Sequence, residues 1–91
     1  MVKKLSRMPY AQAKVVIDED GTIYLISYRT TVIIVEPDGF CTCTGTYSPT
    51  TRKHIGAFAH EYLSPLCYQD LRDAFNGGYK INHETGEIIM I

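Results

Sequence analysis

From position 13 onward the chain runs in short stretches of β-branched and aromatic residues cut by turn residues, the pattern of an antiparallel meander. Residues 13–18 form the first predicted strand. Glu19-Asp20-Gly21 then reverses the chain, because glycine accepts positive φ. In the second strand, 22–28, Ile23, Leu25 and Ser27 share one face while Tyr24, Ile26 and Tyr28 share the other. Neither face is plainly polar, so both are expected to be covered. Residues 31–35 are the third strand, and Glu36-Pro37-Asp38-Gly39 is a strong turn because proline fixes φ and glycine frees the last position. Residues 40–46 are the fourth, with Cys41 and Cys43 facing one way and Thr42 and Thr44 the other.

The period changes after position 46. Ser48-Pro49-Thr50-Thr51 is a helix start, a hydroxyl able to cap free amides followed by a proline tolerated in the first turn. Ile55, Phe58, Ala59 and Tyr62 recur at helical spacing and predict one apolar stripe laid on the sheet. Ser64-Pro65 repeats the start signal, and Leu71, Ala74 and Phe75 give a second stripe that Asn76-Gly77-Gly78 stops. Tyr79-Lys80-Ile81 and Glu87-Ile88-Ile89-Met90-Ile91 flank a turn at 83–86, which predicts a terminal hairpin or a strand added to the sheet edge. Residues 1–12, with Lys3, Lys4, Arg7 and Pro9, show no period and are expected to form a loose or docked arm. The expected fold is α+β, an antiparallel meander of about four strands packed by two helices, with residues 13–91 as a single domain.

Composition narrows the function classes. A chain of 91 residues has room for one core, and 45% apolar with 21% charged residues belongs to a folded domain. Its modest size leaves a homo-oligomer open as a source of added stability. The formal net charge of -1 argues against bulk attraction to nucleic acid or to an anionic membrane surface. Val32-Ile33-Ile34-Val35, the longest apolar run, is far too short to cross a bilayer. Three cysteines leave an odd thiol and no secretory leader is evident, so the expected address is the cytoplasm. Cys41 and Cys43 lack the spacing of a structural zinc site and are expected to be buried free thiols; no metal or cofactor is expected. His54 and His60 are six apart and share no helix face, and neither a glycine-rich phosphate loop nor a nucleophile elbow is present, so the expectation is binding without catalysis.

The densest chemistry lies in Tyr47-Ser48-Pro49-Thr50-Thr51-Arg52-Lys53-His54, where hydroxyls, helix-start amides and basic groups meet. Such a start suits an anion, since the amides point outward with partial positive charge and Arg52 can engage phosphate or carboxylate with two parallel bonds. Ordinary capping and a solvated helix face explain the same residues. Arg29, between strands two and three, would extend a basic patch if the meander brought it to the helix start, with Tyr28 and Tyr47 as stacking surfaces. The candidate ligand- or partner-binding set is Arg29, Tyr47, Thr50, Thr51, Arg52, Lys53 and His54.

The stretches 27–32 and 46–58, the latter reading Thr46-Tyr47-Ser48-Pro49-Thr50-Thr51-Arg52-Lys53-His54-Ile55-Gly56-Ala57-Phe58, resemble a family of short uncharacterised proteins of tailed phages and prophages. That resemblance implies a small binding protein directed at host defence. Its partner would be a host defence protein such as a CRISPR nuclease, held through a surface, or an anionic nucleotide signal, held in a pocket. Direct nucleic-acid binding, which the net charge disfavours, and an oligomeric accessory role are the alternatives.

Overall fold

The structure, a computed structural model, describes all 91 residues and contains seven strands and two helices. The strands are β1 (Val2–Lys3), β2 (Ala13–Ile17), β3 (Ile23–Ser27), β4 (Thr30–Val35), β5 (Phe40–Cys43), β6 (Tyr79–Asn82) and β7 (Ile88–Met90), and the helices α1 (Pro49–Tyr62) and α2 (Tyr68–Gly77) lie between β5 and β6. All seven strands form one antiparallel sheet in sequence order. The class is α+β as expected, with more strands than four.

The predicted turns form where local chemistry dictates. Gly21 (φ 93°) and Gly39 (φ 99°) occupy the left-handed region, and their amides close turns on Asp18 O (3.1 Å) and Glu36 O (2.9 Å). At Gly39 no other residue fits, because a Cβ there would stand 2.8 Å from Asn82 Oδ1. That Asn82 is buried and joins two turns: its Nδ2 donates to Asp38 O (3.0 Å), and its Oδ1 accepts from the amides of Glu84 (2.9 Å) and Thr85 (3.2 Å).

Ser48 caps α1, its Oγ accepting from the Thr51 amide at 3.4 Å, with Pro49 in the first turn. Ile55, Phe58 and Ala59 are buried as the stripe predicts, and Tyr62 stacks on Phe58 with ring centroids 5.0 Å apart. They join Val15, Leu25, Ile33, Val35, Cys41, Cys43 and Leu71 in one core between the helices and one face of the sheet. Removing the buried Phe58 ring would cost about 3–5 kcal/mol.

The N-terminal arm is docked, with Val2 and Lys3 paired to Val16 and Val15 and Leu5 wholly buried in the core. Three expectations are corrected. Ser64-Pro65 does not begin α2; the helix starts at Tyr68, where the Asp70 carboxylate accepts from the Cys67 amide at 2.8 Å and supplies the cap. Of the second stripe, Leu71 and Ala74 face the core but Phe75 is exposed, and Gly78 ends the helix at φ 71°. Both helices cover the same side of the sheet, so Val16, Tyr24, Ile26 and Ile34 on the opposite side are only half-buried. The terminal hairpin, finally, is also an edge addition, with β6 paired to β5 and β7 outermost.

Candidate functional site

In an antiparallel sheet of consecutive strands, every second connection lies at the same end. The connections at 18–22, 36–39 and 83–87 share one end, and they hold Asp18, Glu19, Asp20, Glu36, Asp38, Glu84 and Glu87, seven of the chain's ten carboxylates, and no Lys or Arg. The segments at the other end, 4–12, 28–29 and 44–54, hold Lys4, Arg7, Arg29, Arg52 and Lys53 and no carboxylate at all. Glu61 approaches that second end but is occupied, accepting from the Ser6 amide (2.9 Å) and hydroxyl (3.0 Å). Among Lys and Arg, only Lys80 forms an ion pair, with Glu36 at 2.9 Å. A net charge near zero therefore conceals a molecule that is acidic at one end and basic at the other.

The basic end is built around the two-residue connection Tyr28-Arg29. Tyr28 has φ 56°, the one non-glycine residue in the left-handed region, and its amide donates to Gln12 O at 2.7 Å. A side chain held there costs on the order of 1–3 kcal/mol, a strain that the surrounding bonds must hold in place. Tyr28 is 56% exposed, and with Ala11, Gln12, Ala13, Lys14 and Ile26 it lines a shallow groove of about 200 Å³. Tyr10, in the adjoining segment, is 95% exposed.

The start of α1 is fastened to this end from inside. Ser27 Oγ lies 3.0 Å from Thr51 Oγ1 and 2.8 Å from His54 Nδ1, and all three residues are buried. The Tyr28 ring lies over the same region, 5.9 Å from the His54 ring. Burial pushes the His54 imidazole below its ordinary pKa, toward the neutral form, so that Nδ1 can accept the Ser27 proton or donate to its oxygen according to tautomer. A hydroxyl beside an imidazole is the start of a nucleophile–base pair. Here, however, Ser27 is 2% exposed, and the third member is a threonine hydroxyl, not a carboxylate that would hold the ring and its charge. The triad's evident work is to fix the helix start against the end of β3.

The candidate residues divide accordingly. Arg29, Thr50, Arg52 and Lys53 are exposed, and the contact of Thr51 and His54 with Ser27 brings the Arg29 connection and the helix start to one end of the sheet. Thr51 and His54 themselves turn inward, at 6% and 2% exposure, and do not share the surface with Arg52 and Lys53. Helical geometry explains this, since Thr51 and His54 share the face of Ile55 and Phe58. Tyr47 is half-buried against the core with its hydroxyl on that of Thr44. Sequence reasoning missed Ser27 as the anchor and Lys14 and Gln12 as groove residues. The signal for Ser27 was a hydroxyl at a core-facing strand position, which requires a polar partner.

Residues 3–73 match the family described as "Family of unknown function (DUF8033)", and the chain belongs to that family. The match extends beyond the resembling stretches into the N-terminal segment and α2, and its description makes no mention of phages. No curated protein and no solved structure matches the chain.

Proposed function

We propose that this member of the family is a binding protein that holds an anionic partner at its basic, tyrosine-bearing end. The observation that supports this is the charge separation: Lys4, Arg7, Arg29, Arg52 and Lys53 gather at one end of the sheet with no carboxylate among their segments. Unpaired cations of one sign raise the local concentration of anions and leave donors free for phosphate or carboxylate. Exposed Tyr28 and Tyr10 add ring faces, and the groove beside Tyr28 adds a concave wall that includes Lys14. The reading is binding and not catalysis, because the one hydroxyl–imidazole contact is sealed in the core.

The resemblance carried by residues 46–58 supports a narrower form of the proposal. In it the protein is phage- or prophage-encoded and inhibits a host defence system, its partner being the acidic surface of a defence protein or an anionic nucleotide signal. Direct contact with single-stranded nucleic acid is the second reading, favoured by the same basic end with two exposed tyrosines.

The test is a titration of the ¹⁵N-labelled protein with inorganic triphosphate, a cyclic dinucleotide and a short single-stranded oligonucleotide. At least one probe should move the amides of residues 28–30 and 50–53, and Arg52→Ala with Lys53→Ala should weaken it at least tenfold. The double variant should keep its thermal midpoint, since exposed substitutions stay within about 0.5 kcal/mol. Binding unchanged in the double variant, or shifts confined to the acidic turns, would remove this end from the site.

A further inference from the structure

The two edges of the sheet are unequally guarded. β1 is two residues long, and Lys3 and Lys4 stand at its exposed end, devices that discourage another strand from pairing. β7 at the opposite edge has no charged side chain and no proline across Ile88, Ile89, Met90 and Ile91, which are 52%, 40%, 69% and 80% exposed. Phe75, 40% exposed on α2, is the apolar side chain that the helix layer leaves uncovered.

The backbone of β7 is equally specific. Asn82 N donates to Glu87 O at 2.8 Å and Ile91 N to Gly78 O at 3.0 Å, so residues 87, 89 and 91 face β6 across the ladder. The amides and carbonyls of Ile88 and Met90 therefore point away from the sheet. Ile88 lies opposite Ile81, which lies opposite the buried Cys41, so the side chains of Ile88 and Met90 extend the core-side face beyond its last covered strand.

We propose that β7 is a dimerisation edge, pairing antiparallel with β7 of a second copy of this chain about a two-fold axis at Ile89. Ile88 of one copy stands opposite Met90 of the other, and the two such pairs supply four backbone hydrogen bonds. The same pairing buries Ile88 and Met90 of both copies against each other and makes one continuous sheet of fourteen strands, twice the seven of a single copy. Charge selects this direction. Parallel pairing sets the Glu84 and Glu87 turns of the two copies side by side, whereas antiparallel pairing moves them to opposite ends of the shared edge. The occupant is a second copy because the exposed row is apolar and reads the same from both sides of the axis, with no charged side chain to select a different strand.

Sedimentation equilibrium of the 91-residue protein between 1 and 200 µM, with hydrogen exchange at both extremes, tests the proposal. The wild type should shift from monomer to dimer, and the amides of Ile88 and Met90 should gain at least tenfold protection at the high concentration. Ile89→Lys, on an exposed position, should stay monomeric with an unchanged circular-dichroism spectrum, and Arg52→Ala with Lys53→Ala should dimerise as the wild type does. A wild type monomeric at 200 µM, a dimer that survives Ile89→Lys, open-ended association beyond two copies, or unprotected Ile88 and Met90 amides in the dimer would each overturn it. If Ile89→Lys alters the fold, Met90→Lys on the opposite side of the strand provides the same reading.

Discussion

Lowering the pH from 7.5 to 5.5 isolates His54, because carboxylates titrate lower and His54 is the histidine held in the core. Its imidazole is 2% exposed, and burial depresses its pKa below the ordinary 6.5. The sign follows from proton counting. Below pH 6.5 the unfolded chain takes up a proton that the folded chain, with its lower pKa, does not. Stability is therefore complete above the unfolded value and falls as the pH drops through it toward the folded value. Proton uptake by the unfolded imidazole alone sets the upper bound of that loss over this interval, about 1.4 kcal/mol. In a domain of this size the midpoint falls by up to roughly 5–10 °C. Thermal unfolding followed by circular dichroism at pH 7.5, 6.5 and 5.5 measures it. His54→Asn, which retains an amide that can meet Ser27 Oγ, should be less stable at pH 7.5 but flatter across the interval. A wild-type midpoint that does not fall, or a His54→Asn variant that falls equally, would refute the role given to this ring.

Two further outcomes follow from buried groups. Cys41 has its thiol pushed up to about 12 and Cys43 is raised as well, both by burial, whereas Cys67 is exposed. An aromatic disulfide reagent at pH 8 should titrate one thiol quickly in the native protein and three in denaturant, and Cys67→Ala should abolish the fast one; three thiols reacting together would contradict the packing of β5. Asn82→Ala removes three part-buried hydrogen bonds that hold the turns at 36–39 and 83–87 together, for a loss of about 2–3 kcal/mol. Urea unfolding should show the midpoint fall with little change in slope, and a loss below about 0.5 kcal/mol would mean that the turns do not depend on that side chain.

What the sequence settled by itself is local, because the forces that decide it act within four residues along the chain. Asp20-Gly21 and Pro37-Asp38-Gly39 turn because a glycine stands where φ must be positive, and Ser48-Pro49 and Gly78 begin and end helices for equally short-range reasons. The stripe of Ile55, Phe58 and Ala59 settled which face of α1 is buried, whereas the burial of Thr51 and His54, both read as binding residues, came from the structure. Tertiary structure decided what depends on residues far apart. Val2 and Lys3 become a strand only because Val16 and Val15 stand beside them, and α2 begins at Tyr68 only where Asp70 reaches back to the Cys67 amide. His54 acquires its partner 27 positions away in Ser27. The basic end has the same origin. Net charge is a sum that any ordering of the residues would give, but whether Arg29, Arg52 and Lys53 share an end, and whether Asp18, Asp38 and Glu84 share the other, is set by the direction in which each strand runs, and pairing across the whole sheet fixes that direction.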